Sequence, residues 1–400
     1  MALLVEEPGA EQKPVHLDAV LGKLGAFGKH QVFTLCMIAL VYATGTMYNV
    51  NYVFAVEEVH YRTNNKRNRN VEACFGLACE EWKRALVGTA HIFGNMLGLL
   101  VQGQISDRYG RKTAAVFAGT LGGVLGLAKS CASEYWTYVV LETLEAAVGD
   151  ALSPMFMLSI EIVEKEKAIL YQMILLNVAT CGLIILPFIS WALPYWRHFL
   201  RFIYAPALIL LTYSFFLDES IRWLFSKGKK DRGIQIIEKI AKRNDVAIDR
   251  QILNKLDYVE EDDSSNLNDW KLLLKTFKSR IMMQRFLVCM VWWFTITLIN
   301  YGMMISSVSF GGNKYVNFAL LMLMDIPANV FYWLALSKYR RKMPLLTSFL
   351  MLATFSYNIV YMYTSELFPT YTRNSLVALC SSVGRVGALL APQAPLLVNI

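Results

Sequence analysis

The chain has 400 residues, of which 55% are hydrophobic and 18% charged. A soluble globular protein carries about a quarter charged residues, so with a mean hydropathy of +0.38 this composition excludes an ordinary water-soluble domain. The net charge of +8 does not point to nucleic acid, because Lys and Arg stand in short segments between apolar runs rather than on one basic face.

The N-terminal stretch before Lys29 carries Pro8, Pro14 and several charges and lacks the short apolar core of a cleaved signal, so it is expected to be retained and cytoplasmic. A helix crossing about 30 Å of hydrocarbon needs about 20 mostly apolar residues. Ten such runs follow, near 32–56, 85–105, 113–132, 135–158, 168–190, 199–217, 286–308, 316–337, 344–363 and 375–398. The polar stretch Asp218 to Arg285, with the acidic cluster Glu260, Glu261, Asp262 and Asp263, divides six runs from four. Within it Ile234, Ile237, Ile240 and Ala241 have helical spacing, which predicts short amphipathic helices. The expected organisation is a six-helix bundle over 1–217, a cytoplasmic loop with short helices over 218–285, and a second, incomplete bundle over 286–400.

Three basic loops set the orientation: Arg108, Arg111 and Lys112 after the second run, Lys227 to Arg232 after the sixth, and Lys338, Arg340, Arg341 and Lys342 after the eighth. All fall on one side if the spans alternate, which by the excess of cytoplasmic positive charge is the inside. Lys66, Arg67 and Arg69, after the first run, disagree. Cys36, Cys131, Cys181, Cys289 and Cys380 fall in or beside apolar runs and read as small packing residues. Cys74 and Cys79 share a polar loop, where a disulfide and a metal or redox pair are both open.

No G-x-x-x-x-G-K-S/T loop, HExxH or GxSxG occurs, and His60, His91 and His198 stand isolated in the sequence as interfacial or packing residues. No catalytic set, cofactor or metal site is expected. The sharpest local signal is GQISDRYGRK, Gly103 to Lys112. Gly110 permits a tight turn between two helices, Asp107 can accept hydrogen bonds at helix ends, and Arg108 and Arg111 supply charge at the membrane edge. Such a cluster can lock helix bundles in one state; a plain positive-inside anchor is the alternative.

GQISDRYGRK resembles the loop signature of the major facilitator superfamily, in which two six-helix halves rock about a central site. ESIRWLFSKGKKDRG, Glu219 to Gly233, resembles an element after helix six of the solute carrier 22 family of organic cation, organic anion and carnitine transporters. YTSELFPTYTRN, Tyr363 to Asn374, resembles that family's element before helix eleven, and Tyr301 to Ala328 its segment from helix seven to eight. The resemblance implies an all-α integral membrane protein of the two-bundle fold, with about ten spans here and helices missing from the second half. It also implies gating roles for Gly103, Asp107, Arg108, Gly110, Arg111, Glu161, Glu219, Arg222, Glu366 and Arg373. Departures are visible: Glu142 stands where many superfamily members have Arg in helix four, Ile221 replaces a Pro, and Asn329 replaces a Lys of some anion transporters.

An ionisable residue at mid-span usually faces a cavity or a partner. Arg385 lies about eleven residues into the last run, roughly 16 Å deep. The resemblance places it at a position commonly Arg in anion and carnitine transporters and Asp in several cation transporters. A guanidinium can grip a carboxylate with two parallel hydrogen bonds, while an internal ion pair with Asp325 is the structural alternative. Asp150 and Asp325, with Glu142 and Glu145 nearby, could hold an ammonium group, and Trp292, Trp293, Tyr301 and Tyr357 could add cation–π contact, although packing is the commoner use of such rings.

The expected substrate contacts are thus Arg385, Asp150, Asp325, Tyr301 and Trp293. The expected function is alternating-access transport of small organic ions, a cation or a carnitine-like zwitterion, in the plasma membrane, with the bilayer and the solute as partners. An organic anion transporter, and a transport-inactive membrane interaction or regulatory protein, are the alternatives. The second rests on parity. A single run at 345–363 carries Glu366 to the outside where the resemblance requires it inside, so either that run does not cross, or the last helix and Arg385 are inverted. Impaired transport is expected in both cases.

Overall fold

The structure is a computed structural model that describes residues 17–25, 27–56, 81–247, 253, 278, 280–309, 312–338 and 373–390. The described residues are almost wholly helical. The first half comprises α1 (Leu17–Leu24), α2 (Lys29–Val50), α3 (Tyr52–Ala55), α4 (Glu81–Tyr109), α5 (Arg111–Lys129), α6 (Tyr135–Val148), α7 (Leu152–Glu161), α8 (Lys165–Ala192) and α9 (Trp196–Tyr204). A 3-10 stretch Ala205–Thr212 and α10 (Tyr213–Phe216) continue α9. Then come α11 (Ile221–Ser226) and α12 (Lys230–Arg243), and in the second half α13 (Arg280–Ser309), α14 (Lys314–Leu323), α15 (Asp325–Lys338) and α16 (Arg373–Leu390). Six helices among the described residues are long and apolar enough to cross a membrane. The run near 344–363 and the pair Cys74 and Cys79 lie outside the described residues.

Small residues let the helices approach. Gly94 and Gly98 of α4 face the backbone of Thr143 and Ala147 on α6, where any Cβ would collide, the small-xxx-small device that compensates for the lack of a hydrophobic driving force in lipid. Gly384 of α16 meets Trp293 of α13 in the same way, and the Thr297 hydroxyl donates to the Gly384 carbonyl. The halves are joined where Ser382 Oγ of α16 donates to Met96 O of α4 at 2.7 Å, and where Asn329 Nδ2 of α15 donates to Asn177 Oδ1 of α8 at 3.2 Å.

Two spans expected to be continuous are interrupted. The run 135–158 breaks between Val148 and Leu152, because Gly149 ends α6 and the Asp150 carboxylate accepts the Leu152 N–H at 3.0 Å, capping α7. Pro154 in the first turn of α7 lacks the N–H that a continuous helix would use. The run 316–337 is likewise divided at Met324, so that Asp325 opens α15, with Pro327 two residues on. Interrupted helices occur at membrane depth where they line a cavity, and both interruptions here place an aspartate.

The amphipathic helix expected in the polar stretch is α12. Ile237 and Ile240 are buried against Leu17, Leu21 and Leu24 of α1, which the sequence reading does not anticipate, and against Phe225 of α11. Asn244 follows α12 and caps α2 from a distance, accepting His30 N–H at 2.9 Å and donating to Leu24 O at 3.0 Å. Beside it, exposed Lys29 lies 2.7 Å from Asp245 and holds that carboxyl below its ordinary range.

The direction of α16 follows from its contacts with α13. Leu376 and Val377 cluster with Phe286, Gly384 meets Trp293, and Arg385 meets Tyr301, so the two helices run parallel. Ile169, near the start of α8, shares the Phe286 cluster. Arg280 and Arg373 therefore begin at the membrane face that carries Arg111 and Glu161, here called the basic face. Inversion of the last helix, one of the two expectations drawn from parity, is corrected by this packing.

Candidate functional site: a central cavity and a basic-face lock

Between the halves lies a cavity of about 270 Å³. Tyr42, Thr46 and Asn49 of α2, Asn95 of α4, Asp150, and Phe156 and Gln172 line it from the first half, and Asn300, Tyr301, Asp325, Tyr332, Ser381 and Arg385 from the second. Asp150 reaches it because of the break between α6 and α7, and Asp325 because of the break between α14 and α15. Arg385 is half-buried; its guanidinium donates to the Tyr301 hydroxyl and stands 5.3 Å from the centre of that ring. Asn95 Nδ2 donates to Asn49 Oδ1 at 3.0 Å, which orients two amides in the wall.

Four of the five expected contact residues thus share one cavity. Trp293 does not: it is 1% exposed, packed on Gly384 in the α13–α16 interface, away from the lining. Its position one helical face away from Tyr301 could not be told from the apolar run, because both faces of that helix are apolar.

Six of the ten residues expected to gate, Asp107, Gly110, Arg111, Glu161, Glu219 and Arg222, meet at the basic face. Arg111 Nη1 donates to Asp107 Oδ1 at 2.8 Å and to Ser106 O at 2.9 Å, and Nη2 donates to Glu161 Oε1 at 3.2 Å. Gly110, with φ +108°, makes the α4–α5 turn, and a Cβ there would strike Glu219. The Glu219 carboxylate accepts Lys112 N–H, a donor left open at the start of α5, and Ser220 N–H just before α11, each at 3.0 Å. Arg222 donates to Glu161 O and Val163 O at 3.3 and 3.1 Å, covering carbonyls at the end of α7, and Trp223 Nε1 donates to Asp107 O at 2.9 Å. An acid at the end of α4 and a base at the start of α5 both oppose the helix dipoles. The pair therefore serves the junction rather than either helix. Gly103 lies in α4 one turn before Asp107, and Arg108 stands beside the Tyr109 ring. Arg373 opens α16, its side chain outside the described residues, as is Glu366.

A second ionic cluster was missed in the sequence. Lys129 Nζ lies 2.8 Å from Glu142 Oε2 and 3.5 Å from Glu145 Oε2, and His91 Nδ1 lies 2.8 Å from Glu142 Oε1, all buried. The ammonium beside Glu142 and Glu145 is thus the chain's own, and His91 is a member of an ionic cluster rather than an isolated packing residue. The signal was available as a lysine inside the apolar run 113–132 with two acids inside the next.

The family model for sugar (and other) transporters matches residues 30–356. The chain belongs to that family. Among solved structures, the major facilitator superfamily proton:xylose symporter XylE bound to 6-bromo-6-deoxy-D-glucose superposes with a TM-score of 0.66 at 16% identity, over 93% of this chain and 90% of that one. At that identity the likeness is one of fold, and it bears out the expected major facilitator arrangement. Curated relatives of this sugar (and other) transporter family member carry the solute carrier 22 resemblance read from the motifs. Solute carrier family 22 member 1 of Bos taurus is 28% identical over 352 residues, 80% of this chain and 61% of that protein. Organic cation/carnitine transporter 2 of Homo sapiens is 27% identical over 360 residues, 80% and 62% respectively. Organic cation/carnitine transporter 4 of Arabidopsis thaliana is 25% identical over 97% of this chain and 85% of that protein. The chain spans about three fifths of the length of the first two relatives.

Proposed function

We propose that this chain is a multi-pass plasma-membrane transporter that moves small organic ions, an organic cation or a carnitine-like zwitterion, by alternating access of its two halves, and that it performs no covalent chemistry. The observation that carries the reading is the placing of Asp150, Asp325 and Arg385 around one cavity with walls from both halves. A charge held at mid-bilayer costs roughly 2.5–3.5 kcal/mol even on the mildest scale, so three in one chamber need an ionic occupant or each other. Asp150 and Asp325 supply the field for an ammonium group, Arg385 the fork for a carboxylate, and Tyr301 holds the guanidinium in place. Tyr42, Phe156 and Tyr332 offer ring faces to a quaternary ammonium.

The volume of 270 Å³ sits just under the roughly 300–1,000 Å³ of drug-sized pockets, which favours solutes of the size of carnitine or tetraethylammonium. The basic face is taken as cytoplasmic, with the N-terminus on the same side. The Arg111–Asp107–Glu161 lock then ties α4, α5 and α7 into one rigid body that turns about the site. Domains 1–217 and 286–400 are the two moving bodies of this proposal, with 218–285 between them.

The test is uptake of radiolabelled tetraethylammonium, L-carnitine and p-aminohippurate into cells expressing the chain. Saturable uptake of the first two is expected. Uptake of p-aminohippurate alone would make this an anion transporter, and uptake of none, with the protein at the cell surface, would favour the interaction-protein reading.

A further inference from the structure

Glu145 and the groups around it are used by nothing in the transport reading. Glu145 lies about ten residues, roughly 15 Å, into α6 from its Tyr135 end. It is 3% exposed, and Glu142 and Lys129 are fully buried. One ammonium faces two carboxylates, and His91 beside Glu142 adds a charge only by binding a proton, so with a neutral imidazole the cluster is one positive charge short, and an uncompensated charge sealed away from water is strongly disfavoured. Glu142 Oε2, Glu145 Oε2 and His91 Nε2 all lack a hydrogen-bond partner, but the Lys129 ammonium stands 2.8 Å from Glu142 Oε2 and 3.5 Å from Glu145 Oε2, so Glu145 is the less compensated carboxylate.

The missing charge has little room to be a metal ion. His91, Glu142 and Glu145 bring donor atoms within 4.8 Å of one another, but the Lys129 ammonium already occupies the space between the carboxylates. A proton needs no space. It does need a route, and a narrow chamber of about 20 Å³ is lined by both Glu145 and Asp150 and shares Asn49, Asn95, Asp150 and Leu152 with the lining of the central cavity. A site for one water takes roughly 10–15 Å³, so the passage admits one.

The groups that face Glu145 come from every packed element. Lys129 is on α5, His91 on α4, Glu142 and Tyr138 on α6, Tyr204 on α9 and Tyr48 near the end of α2, while Tyr52 at the start of α3 stands against His91. Asp150 lines the same chamber and, with Arg385, the central cavity. Arg201 of α9 turns to Ser130 at the outer end of α5.

We propose that Glu145 is a proton-binding site in exchange with the central cavity, so that one proton is taken up or released as the halves move. In uptake, a proton passes from the cavity through water in the Asp150 passage to the Glu145 carboxylate, which becomes a neutral carboxyl; release reverses the transfer and returns the proton to the cavity. The proton site stands on the cluster itself, while its coupling to solute movement rests on the transporter reading.

Infrared difference spectra of the purified 400-residue chain, between acidic and alkaline buffer, test the site without any substrate. The carbonyl band of a protonated carboxyl is expected in the wild type, lost in Glu145→Gln and retained in Asp150→Asn. Glu145→Asp, which keeps the titrating group, should move the band rather than remove it and guards against a merely unfolded Gln variant. A band that survives Glu145→Gln, or none in the wild type, overturns the site. In proteoliposomes, an imposed pH gradient should alter tetraethylammonium uptake by the wild type and leave Glu145→Gln indifferent. A wild type with the infrared band but no gradient response overturns the coupling alone.

Discussion

Arg111 donates to Asp107 across the Gly110 turn at 2.8 Å while its other amino group reaches Glu161 on α7 at 3.2 Å. One guanidinium therefore links three helix ends at the basic face, more than a membrane-edge anchor would require. Asp107→Asn keeps the shape and removes the charge. The expected outcome is a maximal uptake rate lowered by roughly tenfold, with the apparent affinity little changed, the pattern of an interaction lost from the moving step rather than from binding. Initial-rate kinetics on a transported solute measure both; normal turnover with weak binding would sink the assignment.

Gly110 is held at φ +108° against Glu219. A Cβ there adds backbone strain and displaces the carboxylate from the Lys112 and Ser220 amides. Gly110→Ala is expected to destabilise the chain by about 1–3 kcal/mol. Thermal unfolding in detergent reads this, and an unchanged midpoint would show that the turn relaxes freely.

Arg385 and Asp150 divide recognition between them in the proposed function. Arg385→Ala should abolish uptake of carboxylate-bearing solutes and spare simple cations, while Asp150→Asn should do the reverse for tetraethylammonium. Competition assays at matched surface expression decide this. Equal losses for both solute classes would mean that the two residues hold the cavity open rather than read the solute.

Lys129 is fully buried between Glu142 and Glu145. Removing one member of a buried ion pair costs about 3–5 kcal/mol, whereas replacing both by neutral groups of similar shape is often tolerated. Lys129→Met should therefore lower the unfolding midpoint sharply, and Lys129→Met with Glu142→Gln should recover much of it. A double variant no better than the single one would locate the demand for the ammonium at Glu145.

The parallel packing of α13 and α16 places Arg280 and Arg373 at one face. Cysteines introduced at Lys278 and Arg373, in a background without native cysteines, should be labelled by an impermeant maleimide from the same side. Labelling from opposite sides would restore the inverted topology expected from counting runs.

The apolar runs that make the long helices, the amphipathic α12 and the basic-face signature were legible in the sequence, although six helices among the described residues are long and apolar enough to cross where nine runs were expected. Each is a local property: about 20 apolar residues make a span whatever surrounds them, and Ile237 and Ile240 share a helical face by spacing alone. Depth was legible for the same reason, so Asp150, Asp325 and Arg385 could be picked out as intramembrane charges. Which way those charges point was decided only by tertiary structure. The breaks at Gly149–Asp150 and Met324–Asp325 turn two aspartates toward a shared cavity, Trp293 is turned into the packing of Gly384, and Lys129 meets Glu142 and Glu145 because α5 and α6 pack side by side. In hydrocarbon every face of a helix is apolar, so hydrophobic period carries little information about facing, and only the partner helices supply it.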